Sequence, residues 1–229
     1  YRRTFEIGED WMGKDIFLHI GSATSNVRVW INGKEVGYSE DSKLESEFNL
    51  TPYLKPGQKN LIAFQVFRWC DGTYLEDQDF FRFSGIFRNV YMLTRPEEHI
   101  TDYKIETTFD VTDGILKFIN ESDVDIELTL EGNSVIVPAK MINELVVPNV
   151  KAWSPDTPEL YTLELRANGE KIIESVGFRT VTIDGKVFKV NGEVVKLKGV
   201  NRHDFNCETA ATVSLEDMAK DIHLMKELN

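Results

Sequence analysis

Residues 27–38 read Val27-Arg28-Val29-Trp30-Ile31-Asn32-Gly33-Lys34-Glu35-Val36-Gly37-Tyr38. In an extended strand, Val27, Val29 and Ile31 would lie on one face and the residues between them on the other. Asn32-Gly33 can supply the two positive φ angles of a tight hairpin turn, so residues 35–38 are expected to form the return strand. The stretch therefore predicts an antiparallel hairpin with one buried face.

The same alternation continues to about residue 200. Residues 61–69 are strongly apolar, which favours a central strand covered on both faces. A polar stretch with a proline at residues 94–98 is the expected domain boundary, and Asp113-Gly114 and Asn168-Gly169 beyond it are expected turns. Six further short strands are predicted at residues 103–109, 115–120, 125–130, 141–147, 161–166 and 171–176. This number and spacing is typical of an immunoglobulin-like sandwich.

The pattern changes after residue 183. Residues 186–190 and 194–198 flank another turn, Asn191-Gly192, and a helix is predicted to begin after Ser214 as its N-cap. The helix would carry one apolar stripe, formed by Leu215, Met218, Ile222 and Met225. One strand and one helix cannot make a parallel sheet, so we expect the stripe to fray or to pack against a sandwich or another chain.

Composition restricts the partners. The 229 residues include 38 acidic and 26 basic ones, a net charge of −12, which disfavours nucleic acid and anionic membrane surfaces. No apolar run approaches the roughly 18 residues of a membrane span. Cys70 and Cys207 fit neither a disulfide framework nor a close-spaced zinc motif, so both are expected to be ordinary thiols. Residues 1–4 do not resemble a signal peptide, but the sequence starts in the middle of an expected strand and a targeting segment could precede it, which leaves localisation open between cytoplasm and periplasm.

Two segments suggest chemistry. Residues 69–88 combine four carboxylates with several aromatic residues, which suits sugar stacking, hydroxyl hydrogen bonds or a hard cation. The alternative is a structural loop, in which Asp71-Gly72 is a turn and Arg82 and Arg88 pair with the acids. The second segment is residues 200–204, where polar residues including His203 end an apolar strand. A lone histidine is more often structural than catalytic.

These segments carry a resemblance that runs along the whole chain. In order and spacing they are similar to the β-galactosidases of glycoside hydrolase family 2. The matching segments are residues 31–38, 41–48, 72–88, 153–155 before Leu160-Tyr161, and 199–203. The resemblance implies a mainly β chain with three parts: a jelly-roll sugar-binding-type domain lacking its first strands (1–96), an immunoglobulin-like sandwich (97–182), and the first strand and helix of a truncated (β/α)8 barrel (183–229).

The resemblance also implies a reaction, the retaining hydrolysis of terminal β-galactosides, with both catalytic glutamates beyond Asn229. No catalytic residue is then expected in this chain, and the chain alone is expected to be inactive. Asp79 matches a loop aspartate that binds sodium and the galactosyl group, and His203 matches a histidine that contacts the galactosyl ring. Asp77 is a weaker metal candidate and Glu76 a weaker one still.

Cofactors and partners follow from the same resemblance. The parent enzyme is expected to use magnesium and sodium, neither bound tightly by this chain alone, and to be a homo-oligomer. A related specificity, for β-glucuronides or β-mannosides, stays open. A stand-alone carbohydrate-binding protein is the main alternative, but it would have no use for residues 199–229 and their apolar stripe. A scaffold protein explains the sandwiches but not the acidic and aromatic segment.

Overall fold

The computed structural model describes residues 1–76, 81 and 83–228. The chain is mainly β, as predicted, and separates into two compact units. The first comprises Tyr1–Arg95 with Val200–Asn229, and the second comprises Pro96–Gly199. No helix among the described residues is long and apolar enough to cross a membrane. The predicted domain limits at residues 96 and 182 stay predictions.

The first unit is a sandwich of antiparallel strands. Its elements are β1 (Arg2–Phe5), β2 (Asp15–Ile20), β3 (Ala23–Thr24), β4 (Asn26–Ile31), β5 (Lys34–Glu40), β6 (Ser46–Asn49), β7 (Asn60–Phe67), α1 (Asp71–Leu75), β8 (Gly85–Ile86) and β9 (Val90–Arg95). One sheet has the order β1-β7-β4-β5 and the other β6-β2-β9, while β3 and β8 pair separately. The opening hairpin is confirmed: Asn32 and Gly33 have φ angles of 52° and 82°, and Val29 is fully buried.

The two sheets of this sandwich close on one side and open on the other. β5 and β6, an edge strand of each sheet, lie in contact. The opposite edge strands, β1 and β9, border a mainly apolar cleft of about 710 Å³. Side chains lining the cleft include Phe5, Trp11, Leu18, Phe64 and Met92. The cleft therefore reaches from the surface to the core of the sandwich.

Two predictions in this unit were wrong. β7 is central, between β1 and β4, but it is not covered on both faces, since Leu61 and Phe67 are 42% and 45% exposed. The reason is that each sheet of a two-layer sandwich meets the other sheet through one face only.

The second wrong prediction concerns Asp71-Gly72, which forms the first turn of α1 rather than a β-turn. The Cys70 N–H donates to Thr73 Oγ1 at 3.0 Å, which caps a helix there.

The second unit is also an antiparallel sandwich. Its strands are β10 (Tyr103–Asp110), β11 (Asp113–Asn120), β12 (Ile126–Leu130), β13 (Asn133–Val137), β14 (Ile142–Val147), β15 (Tyr161–Ala167), β16 (Glu170–Val176), β17 (Val181–Asp184), β18 (Val187–Val190) and β19 (Glu193–Val194). The sheets β10-β11-β14 and β13-β12-β15-β16 enclose the core, and β17, β18 and β19 form a third sheet. Phe118, Leu163, Leu165 and Phe178 are fully buried between the first two.

The prediction of a turn at Asp113-Gly114 was wrong. Both residues lie in β11, paired with Asp110 and Phe109, and the chain reverses at residues 111–112 instead. Gly114 is needed for packing, because a Cβ there would lie 2.4 Å from Cδ1 of Phe178.

The sequence analysis did not predict β13. It follows a turn at Glu131-Gly132, whose φ angles are 49° and 79°, and Glu-Gly is a weaker hairpin signal than Asn-Gly.

The end of the chain follows the sequence prediction in part. β18 and β19 flank the expected Asn191-Gly192 turn, but β19 stops at Val194 instead of continuing to residue 198. α2 (Leu215–Leu228) begins where predicted, and Ser214 Oγ accepts a hydrogen bond from the Asp217 N–H at 3.1 Å. Two members of the apolar stripe, Leu215 and Ile222, are 83% and 49% exposed.

Candidate functional site

Buried hydroxyl groups anchor the start of the acidic and aromatic segment. Thr73 in α1 and Ser25 between β3 and β4 are both buried, and their hydroxyl groups are hydrogen-bonded to each other. The Ser25 hydroxyl also donates to the carbonyl oxygen of Arg68 at 3.2 Å. Because a buried hydroxyl left without a partner costs about 1–3 kcal/mol, this network holds α1 against the sandwich.

Of the four acidic residues in this segment, Asp71 and Glu76 lie among the described residues. Glu76 follows the helix, and its Oε1 accepts a hydrogen bond of 3.4 Å from the Ser42 N–H. Asp77 and Asp79, which the resemblance implies as metal and sugar ligands, lie outside the described residues. Phe81 and Phe83 beyond them stack with ring centroids 6.1 Å apart. The structure thus describes both ends of this segment.

His203 shares a cavity with residues of the sandwich. The cavity, of about 290 Å³, is lined by Lys43, Phe81, Arg88, Arg202, His203, Asp204, Phe205 and Ala211. The rings of Phe81 and Phe205 stack with centroids 4.5 Å apart, which joins the aromatic segment to the segment that carries His203. His203 is exposed. The two segments singled out from the sequence therefore meet at one place within the first unit.

Charged groups give this cavity a cationic side. The Lys43 ammonium group lies 5.1 Å from the centroid of the Phe87 ring. Burial, followed by the charge of Arg88, lowers the pKa of Lys43 from its ordinary value, while Asp204 opposes this shift. A cavity with stacked aromatic rings, ammonium and guanidinium donors and one carboxylate can stack on a sugar and hydrogen-bond to its hydroxyl groups.

Arg202 holds the segment before His203 in place. Its Nε donates to Asp221 Oδ2 in α2 at 2.9 Å, and its Nη1 donates to Asp204. The hydrogen bonds with Asp204 and Asp221 raise the pKa of the Arg202 guanidinium group. Arg202 thereby ties this segment to the last helix and also bonds to Asp204, on the other side of His203.

Sequence reasoning missed Phe205, Lys43 and Arg88 as members of this cavity. Lys43 received no role, although it lies in one of the segments that resemble the family. Arg88 was interpreted as a partner for the loop acids, and in the structure its guanidinium carbon lies 6.0 Å from the centroid of the Phe87 ring. Neither residue has a spacing pattern that links it to His203, because only the fold brings these distant segments together.

Comparison with known proteins assigns all three parts of the chain to one family. Residues 1–96 match the "Glycosyl hydrolases family 2, sugar binding domain". Residues 98–180 match "Glycosyl hydrolases family 2", and residues 181–229 match the family's "TIM barrel domain".

Individual relatives agree with this assignment. The β-galactosidase of Priestia megaterium is 37% identical over 261 residues, which covers 100% of this chain and 25% of that protein. The β-galactosidase large subunit of Lactobacillus acidophilus is 35% identical, covering 100% of this chain and 40% of that protein. An apo structure of β-glucuronidase from Ruminococcus gnavus is 26% identical, with a TM-score of 0.84, and covers 99% of this chain and 44% of that one.

The chain thus spans a quarter to two fifths of the length of these curated relatives. Each of these three relatives is matched over at least 99% of this chain. On this evidence the chain belongs to glycoside hydrolase family 2.

Proposed function

We propose that this chain is the sugar-recognising, non-catalytic part of a retaining β-galactosidase that hydrolyses terminal non-reducing β-D-galactose residues. The observation that supports this most directly is that β-galactosidases match every part of the chain, at 34% to 37% identity for the relatives from Clostridium acetobutylicum and Priestia megaterium. The convergence of two sugar-suited segments on the His203 cavity agrees with it.

The chemistry divides between this chain and the polypeptide beyond it. Retaining hydrolysis requires an acid/base carboxyl and a nucleophilic carboxylate about 5–5.5 Å apart. In this proposal both are glutamates on later barrel strands. The chain's own task is then to bind and orient the galactosyl ring. His203 donates or accepts a hydrogen bond at a ring hydroxyl, and Phe81 and Phe205 offer faces for the apolar side of the sugar.

Asp79 is the proposed ligand for a sodium ion and the galactosyl group, with Asp77 a weaker candidate, and this rests on the resemblance of residues 72–88. The parent enzyme would also use magnesium, held by residues further along the barrel. A bound sodium ion would supply a fixed positive charge against which sugar hydroxyl groups are oriented. The name of the Lactobacillus relative, a large subunit, supports an oligomeric parent.

The first experiment tests whether the 229-residue chain alone is catalytically inactive. The purified 229-residue chain should release no nitrophenol from an aryl β-galactoside above a buffer blank, because it lacks the pair of carboxyl groups. Turnover that follows the pure protein and disappears in Asp77→Asn or Asp79→Asn would contradict the proposal.

The second experiment tests the residues in the full-length enzyme. Asp79→Ala should raise KM and weaken activation by sodium. His203→Ala should lower kcat by about 30- to 1000-fold, since one hydrogen bond that strengthens in the transition state contributes about 2 to 4 kcal/mol. His223→Ala, on exposed α2, is the matched control and should leave both constants near the wild-type values. Normal kinetics in both site variants would reject the roles proposed for them.

A β-glucuronide is the alternative substrate, because the solved structures that the chain resembles include β-glucuronidases. The lower identity of those proteins, 26% against 37%, favours the galactoside. Comparing kcat/KM of the full-length enzyme on matched aryl β-galactoside and β-glucuronide decides between the two. The third possibility, a stand-alone binding protein, predicts tight galactose binding by the 229-residue chain, whereas the proposed function predicts weak binding only.

A further inference from the structure

We propose that Arg202 is a positioning residue for His203 and that Asp221, on the last helix, completes this role. Arg202 holds the backbone on both sides of His203, so that the imidazole meets the galactosyl ring in one orientation. The inference rests on the role proposed above for His203. It adds two residues to which the family resemblance gives no role.

The Arg202 guanidinium group bridges two carboxylates through different nitrogen atoms. Its Nε donates to Asp221 Oδ2 at 2.9 Å, and its Nη2 lies 2.7 Å from the same oxygen. Its Nη1 donates to Asp204. Because the guanidinium group is planar and its N–H donors have fixed directions, contacts on two of its edges define both its position and its plane.

Burial restricts this bridge further. The Arg202 side chain is only 21% exposed, and its Nη2 atom is buried. A largely buried cation that loses an anionic partner is destabilised, because water cannot replace that partner fully. Arg202 therefore has little freedom to move while both carboxylates are in place.

His203 stands between two residues whose side chains are bonded to each other, Arg202 and Asp204. The His203 side chain is exposed, and no group among the described residues forms a hydrogen bond with its imidazole. The direction of the imidazole therefore depends on the backbone that its two neighbours restrain. Asp204 also lines the cavity beside Lys43, and its charge opposes the lowering of the Lys43 pKa.

Asp221 gives α2 a part in this arrangement. It lies in the middle of the helix, and two residues of the apolar stripe, Leu215 and Ile222, are exposed. The contact between Asp221 and Arg202 thus joins α2 to the His203 segment through charge and hydrogen bonding rather than through those apolar side chains. Loss of Asp221 should reach the reaction through Arg202 alone.

Kinetics of the full-length enzyme on an aryl β-galactoside measure the effect. Arg202→Gln should lower kcat at least 10-fold and Asp221→Ala at least 5-fold, with KM changed less than twofold, because a displacement of about 1 Å can cost about 100-fold in rate. Arg202→Lys should be nearly as defective as Arg202→Gln, since an ammonium group keeps the charge but not the planar fork. Glu227→Ala, at an exposed position of the same helix, is the matched control and should behave like the wild type.

A double variant shows whether the effect passes through His203. In the His203→Ala enzyme, adding Arg202→Gln should lower kcat less than twofold further, because no imidazole is left to position. A purely structural role predicts the same loss in both backgrounds, and that result would overturn the proposal. Full activity of Arg202→Lys, or an unchanged kcat in Asp221→Ala, would overturn it as well.

Nuclear magnetic resonance of the 229-residue chain tests the positioning without catalysis. The chain has four histidines, and the ring signal that His203→Ala removes identifies His203. Arg202→Gln should shift or broaden this signal and leave those of His19 and His99 in place, with circular dichroism confirming the fold. An unchanged His203 signal would reject the proposal. A changed signal together with normal kcat in full-length His203→Ala would instead reject the function proposed for His203 and leave the positioning of its ring supported.

Discussion

The two sandwiches of this chain bury their cores to different extents. In the second unit, aromatic and aliphatic side chains fill the space between the sheets, and Phe118 and Phe178 have no exposed surface. In the first unit, the sheets meet at β5 and β6, but the cleft of about 710 Å³ between β1 and β9 reaches Leu18 and Phe64. Similar strand patterns have thus produced one core that is closed and one that has a cleft at one edge, which we call the open core, although its central residues such as Val29 are fully buried.

The difference shows that strand alternation determines which side chains face inward but not how fully they are covered. Buried apolar surface contributes roughly 25 cal/mol per Å², so a core that water can reach contributes less per residue. The second unit should therefore be the more stable of the two when each is followed separately. Hydrogen exchange measured by mass spectrometry can follow each unit through its own peptides.

The largest expected effect is in the closed core. Phe118→Ala should lower the free energy of unfolding of the second unit by about 3–5 kcal/mol, because the cavity it leaves has fully buried walls. The stacking of Phe118 on Tyr103, with centroids 5.7 Å apart, is lost as well. Urea titration monitored by hydrogen exchange in residues 103–176 measures the change. A loss below 1 kcal/mol would show that this core is not closed in solution.

A smaller effect is expected from the open core. Leu18→Ala should destabilise the first unit by about 2–3 kcal/mol, near the low end for buried leucine, because the space left by its side chain would open into the cleft instead of forming a closed cavity. The same exchange experiment on residues 2–67 measures it. If Leu18→Ala costs as much as Phe118→Ala, the cleft is covered in solution and the contrast between the two cores fails.

Surface charge should matter less than either core. Hydrogen bonds from Lys104 and Lys117 lower the pKa of Glu106 from its ordinary value of 4.5 to about 2. A lowered carboxyl pKa gives stability that is present above pH 4.5 and is lost as the pH falls toward 2. Glu106→Gln should therefore reduce the acid sensitivity of the second unit between these values. Thermal unfolding at pH 5 and pH 3 measures this, with Glu127→Gln as control.

The smallest effect is expected on α2. Leu215 is 83% exposed, so Leu215→Ser should change the free energy of unfolding of the first unit by less than about 0.5 kcal/mol. Amides of residues 215–228 should also exchange faster than those of β4 in a dilute monomer. A loss above 1 kcal/mol, or strong protection of these amides, would mean that the stripe is covered.

Local signals in the sequence predicted most of the strands and turns. Asn-Gly pairs at residues 32–33, 168–169 and 191–192 each adopt the two positive φ angles expected of them. The wrong turn prediction at Asp113-Gly114 has a long-range cause. There the glycine is required by a ring more than sixty residues away, Phe178, and no local pattern reveals such a contact.

The candidate site was predictable only as separate segments. Residues 69–88 and His203 stood out by composition and by resemblance, and the structure brings Phe81 and His203 to one cavity. Lys43, Arg88 and the pair formed by Arg202 and Asp221 depend on how distant segments pack, so they were not found.

The Asn-Gly turns also determine where the protein deamidates on storage. Deamidation requires the backbone nitrogen of the glycine to attack the asparagine side-chain carbonyl. At Asn32 that carbonyl accepts a hydrogen bond from the Leu61 N–H at 3.0 Å, and at Asn191 it accepts one from the Thr180 N–H at 2.8 Å. Among the residues that the structure describes, the Asn168 carboxamide only donates, to Glu98 at 3.2 and 3.3 Å, so no described group holds its carbonyl in this way. On long storage, Asn168 should therefore be the first to lose ammonia and form a succinimide, and hydrolysis of this ring to aspartate or isoaspartate adds a negative charge to an already acidic protein.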